Sequence, residues 1–172
     1  MTMPLRNADK RKGKPKKQLT YLFILTSLLV ILLGAISCSK SIPQELITSE
    51  ELWKDQRLSD YDFTLERQCF CPEDWRGPVD IQVRDGTAVL VAYVGTGLPV
   101  TEGKFDNADT IDKLFTILKD AYTGQGEFNQ KADSINVTYN TQMGYPATFF
   151  IDVSKTIADE EQGYTVTKLI AQ

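Results

Sequence analysis

The 172-residue sequence contains no histidine. Without an imidazole, the chain can build neither a Ser-His-Asp triad nor a Cys-His nucleophile pair, and it has no histidine metal ligand or histidine pH switch. This absence excludes most hydrolase mechanisms. Because carboxylate and cysteine chemistry are all that remain, we expect a non-enzymatic protein and keep an enzyme as the alternative.

Cysteine is scarce, and the first of the three cysteines, Cys38, ends a segment without charge that runs from Leu19 to Ser37. The basic stretch KRKGKPKK precedes this segment at residues 10–17. A basic n-region (1–18), an apolar h-region (19–37) with small residues at its end, and then a cysteine are the pattern of a bacterial lipoprotein signal peptide. We therefore predict that residues 1–37 are removed and that Cys38 carries a covalent lipid.

An uncleaved transmembrane anchor is the alternative for this segment, because its length approaches the ~20 residues that span a bilayer. A spanning helix has no need of small residues before a cysteine, so their presence favours the lipoprotein. Against this, Ala35 stands where lipoproteins most often have leucine. Basic residues before the apolar segment keep to the cytoplasmic side in both cases. We expect the rest of the chain outside the cytoplasm, anchored to the cell membrane or the outer membrane.

Once the predicted signal peptide is removed, the remaining chain has no excess of basic residues. Residues 38–172 carry 12 basic and 22 acidic residues, a net charge of −10. Nucleic-acid binding needs a basic surface, so we expect no nucleic-acid partner. The remaining length suffices for one domain with its own core.

We predict that residues 38–47 form the lipidated cysteine and a tether, and that residues 48–172 form a single α+β domain. Thr48 and Glu51 have the spacing of a capping box, which predicts a short helix to about Leu58.

The main helix is predicted from Thr110 to Tyr122, because apolar residues recur there at helical spacing. Its expected N-cap is Asp109 and its expected stop is Gly124.

Alternation of apolar and polar residues predicts six strands, three on each side of the main helix. The dipeptide Asp85-Gly86 predicts a hairpin turn between the second and third strands. Residues 88–94 are apolar on both faces, which predicts a central strand, and in the last strand Leu169 has the opposite parity to Tyr164 and Val166. The pattern favours a mostly antiparallel sheet with the main helix on one face and the other face left for solvent or a partner.

The remaining cysteines, Cys69 and Cys71, are the sharpest candidate site. On a regular strand their Cα atoms would lie roughly 6.6 Å apart, close to the upper limit for a disulfide. The alternatives are a structural disulfide or half-buried thiols, a redox-active pair, and a soft-metal site to which Met143 could add a thioether.

Asp152 and the acidic run Asp159, Glu160 and Glu161 are weaker candidates. Carboxylate oxygens suit Ca²⁺, but the run is not an EF-hand loop. A solvated run, with an acid capping a turn, is the alternative interpretation. Apart from calcium and the covalent lipid, the sequence predicts no cofactor.

The motifs CFCP, RDG, GYP and IADEE occur in this order, and together they resemble a family of bacterial secreted or lipid-anchored proteins of unknown function. The resemblance covers roughly residues 53–169 and implies one compact domain behind a lipoprotein signal. It implies no catalytic residue or substrate. The sequence therefore favours a domain of the cell envelope that binds an envelope protein or a ligand, with a thiol-disulfide or metal-handling protein as the alternative.

Overall fold

The computed structural model describes residues 41–172. The segment predicted to be a signal peptide (1–37) and Cys38 lie outside the described residues, so the predictions about them rest on the sequence. Within the described part of the chain, no helix has the length and apolar character needed to cross a bilayer.

The domain consists of one six-stranded antiparallel sheet and two α-helices within residues 41–172. The sheet order is β3-β2-β1-β6-β5-β4. The elements, in chain order, are α1 (Gln44–Asp55), β1 (Tyr61–Cys69), a 3₁₀ turn (Glu73–Trp75), β2 (Val79–Arg84), β3 (Thr87–Tyr93), α2 (Ile111–Thr123), β4 (Ser134–Tyr139), β5 (Pro146–Asp152) and β6 (Gln162–Ala171). The predicted α+β class, strand number and antiparallel pairing are confirmed.

The core lies on one face of the sheet. Tyr61, Phe63 and Leu65 of β1 are buried on this face, because alternate side chains of a strand point the same way. Helix α2 packs over it with a stripe of buried side chains: Ile111, Leu114, Phe115, Ile117, Leu118 and Ala121. The opposite face carries polar pairs such as Thr64 and Asp80, whose side-chain oxygens lie 2.6 Å apart in a hydrogen bond.

A β-bulge in β6 corrects the predicted orientation of Leu169. Leu65 of β1 pairs with Val166, but the preceding residue, Thr64, pairs with Lys168, so Thr167 is an extra residue in β6. The bulge shifts the alternation by one residue. Leu169 is therefore partly buried against the same core as Val166, and the expectation that it points the other way is wrong.

Strand β3 is an edge strand, which contradicts the central position predicted for residues 88–94. It pairs with β2 on one side, while its other side meets the segment 98–100, in which Val100 donates a backbone hydrogen bond to Val91. Val89 is 59% exposed because a register shift in the β2–β3 ladder places an extra residue there. The predicted turn is confirmed, since Asp85 and Gly86 both have the positive φ of a type I′ hairpin.

Helix α1 begins at Gln44, directly after Pro43, and not at the predicted cap Thr48. The Thr48 hydroxyl donates to the Gln44 carbonyl inside the helix, so the predicted capping box is wrong. Leu46 is 1% exposed, and burial of this side chain extends the helix into residues that the sequence assigned to the tether. The helix ends at Asp55, earlier than predicted.

Helix α2 has the predicted stop but a different cap. Thr110 is the N-cap, and its hydroxyl accepts a hydrogen bond from the Lys113 amide at 3.2 Å. The expected cap, Asp109, instead forms an ion pair with the Lys113 ammonium group at 2.6 Å. Gly124 ends the helix in the left-handed conformation, as predicted.

Glu50 joins the two helices. Its carboxylate accepts hydrogen bonds from Lys54 of α1 at 2.6 Å and from Lys119 of α2 at 3.0 Å. Burial by itself raises the pKa of the Glu50 carboxyl, but the two lysines outweigh burial, and the net pKa is lowered.

Candidate functional site

The cysteine motif (residues 69–71) and the acidic motif (residues 159–161), which the sequence singled out, both line one cleft. It lies where β1 ends and β6 begins and has a volume of about 670 Å³. Residues far apart in the sequence meet here: Arg67, Cys69, Phe70, Cys71, Trp75, Gly103, Lys104, Asp106, Asn107, Glu127, Asp159, Glu160, Glu161 and Gln162. The antiparallel pairing of Cys69 with Gln162 brings the cysteine motif beside the acidic motif.

The cysteine segment forms one lip of the cleft. Cys69 and Cys71 form a disulfide, with Cα atoms 5.2 Å apart. This separation is shorter than in a regular strand because β1 ends at Cys69. The Arg76 guanidinium donates two hydrogen bonds to the Cys71 carbonyl, at 3.0 and 2.7 Å, which holds the loop closed. Phe70, between the cysteines, is 79% exposed.

Arg67 lies in the wall of the cleft and is only 7% exposed. Its guanidinium lies between two rings, with its carbon 5.0 Å from the centre of Phe105 and 5.2 Å from the centre of Tyr164. It donates to the Lys104 carbonyl at 3.0 Å and to the Asn107 side-chain oxygen at 2.8 Å. These contacts fix a cation in the wall of the cleft.

Arg67 is not among the predicted site residues, although the sequence carries a signal for it. Arg67 has the same strand parity as Phe63 and Leu65, so the alternation places a charged residue on the core face of β1. Such a residue is unusual, because buried charges are costly unless they are paired. Lys104 and Asn107 lie in a long loop, and no local sequence pattern identifies them.

Electrostatic effects around Arg67 act on the neighbouring tyrosine. Burial raises the pKa of Tyr164 to about 12, and the positive charge of Arg67 opposes that rise. Lys104, at the mouth of the cleft, forms an ion pair with Asp74, whose hydrogen bond raises the pKa of the lysine.

The acidic run forms a second lip of the cleft, beside the cysteine segment. Glu160 accepts hydrogen bonds from the backbone amides of Val153 at 3.2 Å and Ser154 at 2.5 Å, so its carboxylate caps the loop that follows β5. Asp159 and Glu161 flank it at the cleft. The capping role that the sequence left open for an acid therefore belongs to Glu160.

The four candidate calcium ligands are not brought together around one point. Asp152 ends β5 and does not line the cleft, whereas Asp159, Glu160 and Glu161 do. Among residues 41–172, no group of three or more acidic or cysteine side chains is placed to hold a metal ion. The structure therefore offers calcium no formed site at these residues.

Met143 lies too far from the cysteines to complete a soft-metal site. It belongs to the turn between β4 and β5, where Asn140 accepts a hydrogen bond from its amide. This turn is at the opposite end of the sheet from Cys69, because β5 runs between the two ends. A thioether ligand from Met143 depended on the fold bringing it close to the cysteines, and the fold places it at the other end of the sheet.

Comparison with known proteins identifies the family and supplies no activity. Residues 45–171 match the Family of unknown function (DUF6174). No curated protein and no solved structure matches the chain. The match covers the α+β domain from α1 to the end of β6, and the chain belongs to this family of unknown function.

Proposed function

We propose that this chain is a lipid-anchored, extracytoplasmic domain that acts as a non-enzymatic binding module of the cell envelope, with the cleft as its binding surface. The observation that carries the proposal is the meeting of the cysteine motif and the acidic motif at this cleft. The lipoprotein signal that ends at Cys38 supplies the location.

The form and lining of the cleft support binding. Its volume of about 670 Å³ lies within the ~300–1,000 Å³ typical of ligand sites. Phe70 and Trp75 are both exposed at its rim, and aromatic side chains are enriched at binding surfaces. The chain has no histidine to act as a general base. These features favour recognition over catalysis.

The anchor is tested by replacing Cys38 with serine. We expect the Cys38→Ser variant to keep residues 1–37, because the signal peptide is not removed when the cysteine cannot be lipidated. We expect mass spectrometry of the wild-type protein to show an N-terminal lipidated Cys38. An intact Met1 in the wild-type protein would contradict the lipoprotein and indicate an uncleaved anchor.

Binding is tested in intact cells with a photo-crosslinking amino acid at position 70. We expect discrete adducts from this position, because the side chain of Phe70 projects at the cleft. The same amino acid at Val89 is the matched control, since that residue is 59% exposed and lies on an edge strand outside the cleft. Equal adducts from both positions, or none from position 70, would refute the cleft as the binding surface.

A thiol-disulfide or soft-metal handling protein is the second candidate, favoured by the position of the Cys69–Cys71 disulfide on the lip of the cleft. A soft metal would need the disulfide to be reduced first, because thiolates are the ligands. A reduction potential below about −300 mV would make the bond structural and exclude both activities. A potential near that of envelope oxidoreductases would support them.

A further inference from the structure

Arg67 carries a buried positive charge that lies within ion-pair distance of no carboxylate in the described part of the chain. None of the ion pairs among residues 41–172 includes Arg67. Two of its five N–H groups have neutral oxygen acceptors, and its Nε has no hydrogen-bond partner in the described part of the chain. A buried charge usually has a counter-charge, because desolvation without one is costly. The side chain is therefore arranged to receive an anionic group from outside the domain.

The rest of the cleft restricts which anion can enter. Five acidic side chains line it, namely Asp106, Glu127, Asp159, Glu160 and Glu161. The other cation in its wall, Lys104, already forms an ion pair with Asp74. A phosphate or another multivalent anion would be repelled by these carboxylates. A single carboxylate that carries a positive group beside it would satisfy both the arginine and the acids.

We propose that the cleft binds a short peptide with a free C-terminal carboxylate and a positively charged group close to it. The carboxylate accepts hydrogen bonds from the terminal N–H groups of Arg67 that have no acceptor among the described residues, and the positive group faces the lip formed by Asp159–Glu161. The exposed Phe70 and Trp75 contact the apolar part of the ligand. This inference rests on the proposed binding function and names the ligand class for the same cleft.

Two probes that differ only at the carboxylate test the proposal. The dipeptide alanyl-lysine and its C-terminal amide are titrated against the soluble domain, residues 41–172, after a circular-dichroism spectrum and a melting curve have shown that the domain folds. NMR reports the residues whose signals shift, and the dissociation constants come from the same titrations. We expect the free acid to bind roughly 10- to 100-fold more tightly than the amide, because hydrogen bonds with charged partners have this strength.

The comparison separates Arg67 from the acidic residues. The amide carries one more net positive charge than the free acid, so a cleft that acted through its acids alone would prefer the amide. Shifts that cluster at Arg67, Lys104 and Asn107 for the free acid support the proposal. Equal binding, preference for the amide, or shifts away from the cleft would overturn it.

Two variants of Arg67 keep the test informative if one fails to fold. Arg67→Met removes the donor and should abolish the preference for the free acid. Arg67→Lys keeps the charge but loses the planar donor group, and should reduce the preference about tenfold or more. Arg84→Lys is the matched control, because Arg84 pairs with Asp62 and lies outside the cleft. A preference that persists in a folded Arg67 variant would overturn the proposal.

The ligand class and the binding function can fail separately. If crosslinks from position 70 persist while neither dipeptide binds at Arg67, the ligand class is wrong and the binding module stands. If crosslinks from position 70 are also absent, the proposed function itself is wrong.

Discussion

Replacing Tyr61 with phenylalanine would remove a single oxygen atom from the centre of the core. Tyr61 is 1% exposed, and its hydroxyl accepts a hydrogen bond from the Ile111 amide at 3.1 Å. Ile111 is the first residue of α2, and its N–H has no acceptor inside the helix. The hydroxyl therefore satisfies one of the free donors at the helix start and fixes α2 to β1.

The expected cost of the substitution follows from the burial of both groups. Ile111 is fully buried, so water cannot replace the lost acceptor. A buried donor left without a partner costs about 1–3 kcal/mol, and the phenylalanine ring keeps the remaining contacts. We expect Tyr61→Phe to lower the free energy of unfolding by about 1–3 kcal/mol in urea denaturation, with the slope unchanged.

Alkaline pH gives a second measure of the same group. Burial raises the pKa of Tyr61 to about 12, and the hydrogen bond from Ile111 opposes that rise. The tyrosine ionises near pH 10 in the unfolded chain, so its contribution is complete below about pH 10 and is lost as the pH rises towards 12. The phenylalanine variant should lose less stability over this interval than the wild-type protein.

Tyr93→Phe is the matched control, because it removes the same atom at a more accessible site. The Tyr93 hydroxyl donates to the Asp74 carbonyl at 2.6 Å, and water can replace that interaction. We expect a change within about 0.5 kcal/mol. A loss below about 0.5 kcal/mol for Tyr61→Phe would refute the role assigned to this hydrogen bond. An unchanged alkaline dependence would refute the effect of burial on the pKa of Tyr61.

Other substitutions test the helices and the close approach of α1 to the β4–β5 turn. Glu50→Gln should lower the free energy of unfolding by at most about 1 kcal/mol at neutral pH. The stability of this variant should fall less than that of the wild-type protein in acid, because the pKa of Glu50 is lowered in the folded protein and its contribution is lost as the pH falls below about 4.3. Thr110→Ala should cost about 1 kcal/mol through loss of the N-cap, measured by the urea midpoint. Gly144→Ala should lower the melting temperature more than Gly95→Ala: both have φ +85°, but only at position 144 would a Cβ lie 2.3 Å from the Ser49 carbonyl oxygen. Equal effects of the two glycine substitutions would contradict the close contact.

The candidate site shows what local patterns can and cannot identify. Cys69 and the run Asp159–Glu161 stand out in the sequence because of their residue types and spacing, and both line the cleft. Asp152 belongs to the same pattern but lies elsewhere, since sequence distance does not determine where the end of β5 lies. Arg67 was missed because a charged residue in a strand is normally assigned to the solvent face.

The sequence by itself determined the strands, the β2–β3 hairpin and the extent of helix α2, but not the bounds of helix α1. Alternation between apolar and polar residues sets the strands, the positive φ of Asp85-Gly86 sets the hairpin, and helical spacing with Gly124 sets the extent of α2. These signals are local, because they depend on backbone conformation and on residues a few positions apart.

Only the tertiary structure decided the strand order, the bulge and the charge in the core. A strand of apolar residues at positions 88–94 fits a central or an edge position equally well until its neighbours are known, and the structure places it at an edge. Thr167 becomes a bulge only through its pairing with β1. Arg67 can remain buried because Phe105 and Asn107, from a distant loop, fold around it. Contacts between distant segments decide these features, since the free energy of burial depends on which surfaces meet.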